Sequence, residues 1–282
     1  MNADSTPGTA NADFAKGTVN AAARQRMPNL ALLIIFQIRY QLQLYLATPG
    51  ALVIGIGLPV VLLVASDAKH AGKLALPILA GYAVFGLTVT AFATHGVRLV
   101  IARESGILRR WRASPLPPWC YFVSQVITTC LFATLTGAAT LLVGKLFYGA
   151  HVSGTAFGYV LVAMLLGALC WAALSTALTG IIPAVEAAQP TFILVYFPIV
   201  ILSGALGSAP KLPHWLNTLV SYLPGQPLVG AISSALSGVP GLPSRDVLVL
   251  AGWVAAGLIA AILTFRWEPH RRRQRRPARV SP

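Results

Sequence analysis

The chain has 282 residues, of which 56% are hydrophobic and only 10% are charged. Soluble domains usually carry about 25% charged residues, so this composition excludes an ordinary soluble enzyme or binding module. The net charge is +14, but the basic residues flank apolar runs. They do not form the soluble basic face of a nucleic-acid-binding protein. Apolar runs of about 20 residues are instead long enough to cross the hydrocarbon of a membrane.

The N-terminal part of the chain is polar. Residues 1–27 lack the basic start and apolar centre of a secretory signal, and they predict a disordered cytoplasmic tail. From Pro28 to Leu46 an apolar run gives way to a segment with three glutamines and Arg39. This mixture predicts a helix that lies at or dips into the membrane interface. A short membrane span is the alternative.

Six apolar segments predict transmembrane helices. They lie at about Pro49–Ser66, Leu74–Thr94, Tyr121–Phe147, Phe157–Ile182, Pro190–Leu206 and Val247–Phe265. Residues 28–266 therefore predict an all-α integral membrane domain, and residues 267–282 form a basic cytoplasmic tail. With this topology, 16 of the 21 Lys and Arg residues lie on the side of both termini. The positive-inside rule thus places both termini in the cytoplasm.

The segment between spans two and three is the most charged interior stretch. Arg98–Trp119 predicts a basic amphipathic helix on the cytoplasmic side, ended by Ser114-Pro115. One face of this helix gathers the apolar residues Val97, Val100, Ile101, Leu108 and Trp111. The helix is either held at the surface by anionic headgroups or docks a cytoplasmic partner. The residues themselves leave both possibilities open.

The stretch Phe197–Ile232, after span five, is apolar but repeatedly broken by proline and glycine. A chain with this pattern cannot cross the membrane as one helix, because irregular backbone in the membrane must be buried in protein or line a water-filled cavity. Trp215 and Tyr222 are residue types of the membrane interface. The stretch predicts short re-entrant helices that dip in from the extracellular side.

In this order, the two segments resemble those of type-2 ATP-binding-cassette permeases, an exporter family that includes antibiotic and multidrug efflux permeases of actinobacteria. The coupling motif of that family is matched by Arg103, Glu104, Gly106, Leu108 and Pro115. The motif of its re-entrant region is matched by Pro198, Ser203, Gly204, Leu212, Pro213, Trp215, Leu216 and Pro224. The resemblance covers about residues 28–266.

The resemblance implies six spans, an N-terminal interfacial helix, a cytoplasmic coupling helix, and extracellular re-entrant helices between spans five and six. It also implies a homo- or heterodimer of permeases in the plasma membrane, in contact with lipids and with a separate cytoplasmic ATPase. The residues expected to couple to that ATPase are Arg103, Glu104, Gly106, Leu108, Arg109 and, in a second loop, Glu186. The expected cargo is a lipophilic drug or lipid-like compound that moves out of the cell, and no nucleic acid is involved.

ATP hydrolysis is not expected on this chain. A phosphate-binding loop needs the pattern G-x-x-x-x-G-K-[ST]. Neither Gly72-Lys73 nor Gly144-Lys145 is followed by Ser or Thr. We therefore expect no catalytic residue, metal or cofactor in this chain, and ATP and Mg²⁺ on the partner subunit.

The predicted spans also offer little for proton transfer. All acidic residues lie outside or at the ends of the spans, and His95 is predicted to lie at a cytoplasmic end. This pattern disfavours the two competing hypotheses, a stand-alone secondary carrier and a membrane enzyme or assembly protein without an ATPase. A weakly polar substrate path is a further prediction, although packing explains the same residues: Phe85, Phe92, Thr128, Phe132, Phe192 and Tyr196.

Overall fold

The computed structural model describes residues 30–47, 50, 53–70, 76–107, 118–148, 154–207 and 212–264. Across these ranges the chain is helical and contains no β-strand, which confirms the all-α prediction. The helices are α1 (Leu30–Leu46), α2 (Leu58–His70), α3 (Leu76–Glu104), α4 (Pro118–Tyr148), α5 (Gly154–Thr179), α6 (Val185–Leu202), α7 (His214–Val220), α8 (Gly225–Leu236) and α9 (Ser244–Thr264). One π-helical turn, Val53–Gly57, precedes α2, and another, Val89–Thr94, lies inside α3.

Five helices are long and apolar enough to cross a membrane, namely α3, α4, α5, α6 and α9. They match the last five predicted spans. The predicted first span corresponds to a shorter apolar segment, Val53–Ser66. The six-span layout therefore stays a prediction.

Helix α3 is longer than predicted, and this corrects the coupling-helix assignment. It does not stop at Thr94 but runs on through His95–Glu104. The prediction of a separate helix that starts at Arg98, within Arg98–Trp119, is therefore wrong, because nothing interrupts α3 before Ser105. Gly106 then adopts a φ of 73°, a left-handed conformation that ends helices and favours glycine. The rest of the predicted coupling segment, 108–117, lies outside the described residues.

Glu186 also lies in a different local structure from the one predicted. The loop predicted between spans four and five, Pro183–Gln189, is shorter than predicted, because α6 already begins at Val185. Glu186 therefore occupies the first turn of α6, where a carboxylate interacts favourably with the helix dipole.

The centre of the bundle is α3. Of its most apolar window, 89% is buried inside the protein, compared with 11% for α9. Glycines allow close approach, since a Cβ on Gly144 of α4 would collide with the Leu79 side chain of α3. Because α3 is enclosed by its neighbours, its polar side chains meet protein rather than lipid.

Two short helices, α7 and α8, connect α6 to α9. The exposed side chain of Trp215 lies on α7, whereas Leu228 of α8 is fully buried. Leu228 lies against Gly167, at the middle of α5. Helix α8 thus packs against the middle of α5, and a re-entrant course through the membrane stays a prediction.

The bundle has two ends. At the first end, α3 and α5 stop, α6 begins, and Thr264 of α9 lies against Gly180. We call this the Arg103 end, after the residue that joins α3 to α5 there. We call the other end, which carries α7, the α7 end.

Candidate functional site at the Arg103 end

Arg103 links two chain segments at this end. Its Nη1 donates a 2.6 Å hydrogen bond to the carbonyl of Thr179, and its Nη2 donates a 2.5 Å bond to the carbonyl of Ile182. Its Nε donates a 2.9 Å bond to Oε1 of Glu104, with which it forms a salt bridge. The residue is only 1% exposed. We call this set of contacts the Arg103 clamp.

The clamp has a clear electrostatic basis. The last carbonyls of a helix have no partner within that helix, and Thr179 is the last residue of α5. A cation at this position satisfies such carbonyls and interacts favourably with the negative end of the helix dipole. Burial of the guanidinium is tolerated because Glu104 and two carbonyls engage it.

Gly106 determines how the chain leaves α3. Its N–H donates a 3.1 Å bond to the carbonyl of Arg103, and that of Ser105 donates a 2.9 Å bond to the carbonyl of Ile101. A Cβ on Gly106 would meet no atom within 4 Å. The need for glycine here therefore comes from the positive φ alone and not from packing.

The clamp brings the two predicted coupling regions together. Ile107 lies four residues after Arg103, and Glu186 lies four residues after Ile182. Ile107 is 42% exposed, Ile181 is 68% exposed, and Glu186 is exposed too. We call the surface formed by Ile107, Ile181, Pro183 and Glu186 the end surface.

Two predicted coupling residues, Leu108 and Arg109, lie outside the described residues. Arg103 is described, and it faces inward rather than toward a partner. The structure thus indicates that Arg103 positions the end surface and does not itself lie on it. Contact of the end surface with an ATPase stays a prediction.

His95 is a functional candidate that the sequence analysis misplaced. It was expected at the end of a span, yet it lies within α3 and is 1% exposed. Its Nδ1 lies 2.8 Å from Oγ1 of Thr129 on α4, and its Nε2 lies 3.1 Å from Oγ1 of Thr176 on α5. The expectation of no buried histidine within a span was therefore wrong. His95 joins three helices at one point.

The threonines indicate which nitrogen of His95 carries the proton. Oγ1 of Thr176 donates its hydrogen to the carbonyl of Ala172 at 2.8 Å, so it can only accept from Nε2. Nδ1 can then accept from Thr129. A neutral imidazole protonated at Nε2 satisfies all of these groups. The threonines at 129 and 176, inside predicted spans, are the sequence signal that could have revealed the site.

The predicted re-entrant motif has a structural explanation at the α7 end. Gly204, with a φ of 76°, follows α6 directly after Ser203. Its N–H bonds the Ile201 carbonyl at 3.1 Å, and that of Ala205 bonds the Val200 carbonyl at 3.2 Å, which is the Schellman pattern. The turn is tightly packed, because a Cβ on Gly81 of α3 would lie 2.9 Å from Cα of Ala205.

The remaining motif residues lie around this turn. Pro198 lies inside α6, Pro213 is the N-cap of α7, and Pro224 is the N-cap of α8. Trp215 is 64% exposed, as a residue of the membrane interface would be. The motif therefore shapes the chain between α6 and α8, and no contact with a cargo follows from its geometry.

The predicted path residues are buried, and their contacts differ from one another. Phe92 makes edge-to-face contacts with Phe192, with ring centroids 5.3 Å apart, and with Tyr196, 6.3 Å apart. The ring of Phe132 stacks elsewhere, on Tyr45 of α1. Thr128 bonds the Ser124 carbonyl in its own helix at 2.8 Å. Phe85 is 2% exposed and is part of the main apolar core. Their role in transport stays a prediction.

Among the residues that the structure describes, no group of His, Cys, Asp and Glu side chains could hold a metal ion. The site contains a guanidinium, a carboxylate, an imidazole and hydroxyls. Such groups can position helices and exchange hydrogen bonds.

The chain matches a known protein family. Residues 28–236 match the family described as ABC-2 type transporter, a match that includes α1 through α8. The comparison with curated proteins finds no match. ABC-2 membrane domains are permease components and not catalytic subunits. The chain belongs to the ABC-2 type transporter family and is a multi-pass membrane permease subunit.

Proposed function

We propose that this chain is one of two permeases in an ATP-driven exporter, and that a separate ATPase subunit binds its end surface. ATP and Mg²⁺ would be held by that subunit. Both termini and the Arg103 end would then lie in the cytoplasm, with α2 as a short first span. The cargo class that best fits an apolar bundle with buried hydroxyls is a lipophilic drug or lipid-like compound.

The observation that supports this proposal is the Arg103 clamp. An ATPase that pulls on the chain beyond Gly106 also moves α5 and the start of α6, because Arg103 bonds the Thr179 and Ile182 carbonyls. Motion at the end surface is therefore transmitted directly to three long helices. A transport subunit driven from outside the membrane needs such a connection.

Isolation of the tagged chain from native membranes tests the proposal. We expect an ATPase with a phosphate-binding loop to co-purify in stoichiometric amount. Ile181→Asp should reduce its recovery several-fold, because this change places a charge in the contact. Val239→Asp is the matched control, since Val239 is 52% exposed but lies between α8 and α9, at the α7 end. Equal recovery with both variants would contradict docking at the end surface.

One observation favours the competing carrier hypothesis, namely the buried imidazole of His95 inside a span. A proton-coupled carrier needs such a group. Both nitrogens of His95 are occupied by threonine hydroxyls, however, which is typical of a structural role. Export that persists without any ATPase and collapses when the proton gradient is dissipated would establish the carrier instead.

A further inference from the structure

Arg98 places a positive charge inside α3. It lies six residues before Glu104, or about 9 Å along the helix axis. Its side chain is partly buried, and Nη1 is buried without a hydrogen-bond partner. A buried donor of this kind is costly unless something accepts from it.

The guanidinium of Arg98 is held by aromatic rings. Its Cζ lies 3.6 Å from the centroid of the Tyr45 ring. That ring stacks on Phe132 of α4, with centroids 4.3 Å apart and an interplanar angle of 17°. The rings fix the guanidinium plane but neutralise no charge.

None of the described acidic side chains balances this charge. The described acidic side chains are those of Glu104, Glu186 and Asp246. The salt bridge found among them joins Glu104 to Arg103. Charges in the membrane interior are normally paired, so Arg98 lacks the anion that its position calls for.

Further polar groups lie beside Arg98. The Tyr45 hydroxyl is next to Thr129 and Arg98 but has no partner in hydrogen-bond geometry among the described groups, although the residue is 1% exposed. Gln41, one turn earlier on α1, is 3% exposed and lies next to Tyr121 of α4. The opposite side of α1 exposes large apolar residues such as Ile35 and Phe36.

We propose that Arg98 and the Tyr45 hydroxyl bind the anionic phosphate headgroup of a membrane amphiphile between α1, α3 and α4. The phosphate accepts hydrogen bonds from Nη1 and from the hydroxyl, and it supplies the missing negative charge. The site belongs to this chain alone and does not depend on the proposed ATPase.

Thermal unfolding of the full-length chain in nanodiscs tests the site. Phosphatidylcholine discs with and without phosphatidylglycerol of the same acyl chains serve as the two conditions, because the choline cation balances the phosphate charge of phosphatidylcholine, whereas phosphatidylglycerol has no such cation. Phosphatidylglycerol should raise the unfolding temperature of the wild type, because a ligand that binds the folded state stabilises it. Arg98→Gln should abolish this increase, with a loss of about tenfold or more in lipid affinity.

Arg39→Gln is the matched control. Arg39 lies on the exposed side of α1, so this variant loses the same charge but keeps the site and should respond to phosphatidylglycerol like the wild type. In pure phosphatidylcholine, Arg98→Gln should be at least as stable as the wild type, since it removes an unpaired buried charge. A purely structural role for Arg98 predicts the reverse. Lower stability there, or equal losses of response in both variants, would overturn the proposal.

A second variant and a competitor complete the test. Tyr45→Phe keeps the ring beneath Arg98 and should weaken phosphatidylglycerol binding about fivefold. This variant remains informative if Arg98→Gln does not fold. A response that persists in phosphate buffer supports a lipid headgroup. Suppression of the response by inorganic phosphate would show a site for the free anion and overturn the headgroup assignment.

Discussion

From His95 to Glu104, α3 is held by side-chain hydrogen bonds, whereas from Leu76 to Thr88 it is held mainly by close contacts at glycines. The half from His95 to Glu104 forms hydrogen bonds with Thr129, Thr176 and the C-terminal end of α5. In the half from Leu76 to Thr88, a Cβ on Gly81 would lie 2.9 Å from Cα of Ala205, and one on Gly86 would lie 2.9 Å from Pro59.

The two kinds of attachment have different mechanical consequences. Hydrogen bonds to defined atoms fix both the rotation of a helix and its position along its axis. Contacts at small residues fix the distance between backbones. The Arg103 half of α3 should therefore move together with α5.

The largest expected effect comes from breaking the Arg103 clamp. Arg103→Ala leaves two buried carbonyls and the Glu104 carboxylate without their partner, which should lower the free energy of unfolding by about 3 kcal/mol or more. Thermal unfolding in mild detergent measures this loss. Arg39→Ala is the exposed control and should change stability little. Near wild-type stability of Arg103→Ala would show that the clamp is dispensable.

The next effect addresses the opposite half of α3. Gly81→Val pushes side-chain atoms into the backbone of Gly204 and Ala205, and overpacking of this kind costs about 1–3 kcal/mol. Gly252→Val on α9 is the control, since a Cβ there meets nothing within 4 Å. If both variants unfold at the same temperature, the tight contact between α3 and the Gly204 turn does not contribute to stability.

His95 supplies a smaller effect at the point where the three helices meet. His95→Leu removes both hydrogen bonds while keeping a side chain of similar size, so we expect a loss of about 1–2 kcal/mol. Thr176→Val tests the same contact from α5. The double variant should lose less than the sum of the single variants, because residues in contact are coupled. Strict additivity would argue against a direct bond.

The effect of Gly106 on stability should be no larger than that of His95. Gly106→Ala must adopt a left-handed backbone at a cost of about 1–2 kcal/mol, with no steric clash. Under the proposed function, its effect on transport should exceed its effect on stability, because the change redirects the chain that enters the end surface. Gly158→Ala, in open space on α5, should leave both unchanged. Normal export by Gly106→Ala would contradict the coupling role.

Much of the fold could be predicted from the sequence because long apolar runs specify membrane helices directly. The ends of α4 and α9 lie within three residues of their predicted positions. The end of α3 could not be predicted in this way. Hydropathy falls after Thr94, yet no glycine turn or proline breaks the helix before Gly106. The polar residues after Thr94 were thus wrongly taken to mark the end of the helix.

The predicted directions of some side chains were wrong for a related reason. For a helix on a water-facing surface, apolar residues point inward, and Ile101 was placed accordingly. In the bundle, Ile101 is 44% exposed and Arg103 is buried. The surroundings of a membrane helix are themselves apolar, so polar groups gain most from protein partners. The burial of Arg103 and His95 follows from that inversion.

The π-helical turn Val89–Thr94 separates these two halves of α3. A turn of this width carries one residue more than an α-helical turn, and each residue rotates a helix by about 100°. The azimuth of His95 and Arg103 is therefore offset from that of Gly81. The π-helical turn thus sets which neighbouring helices the two halves of α3 face.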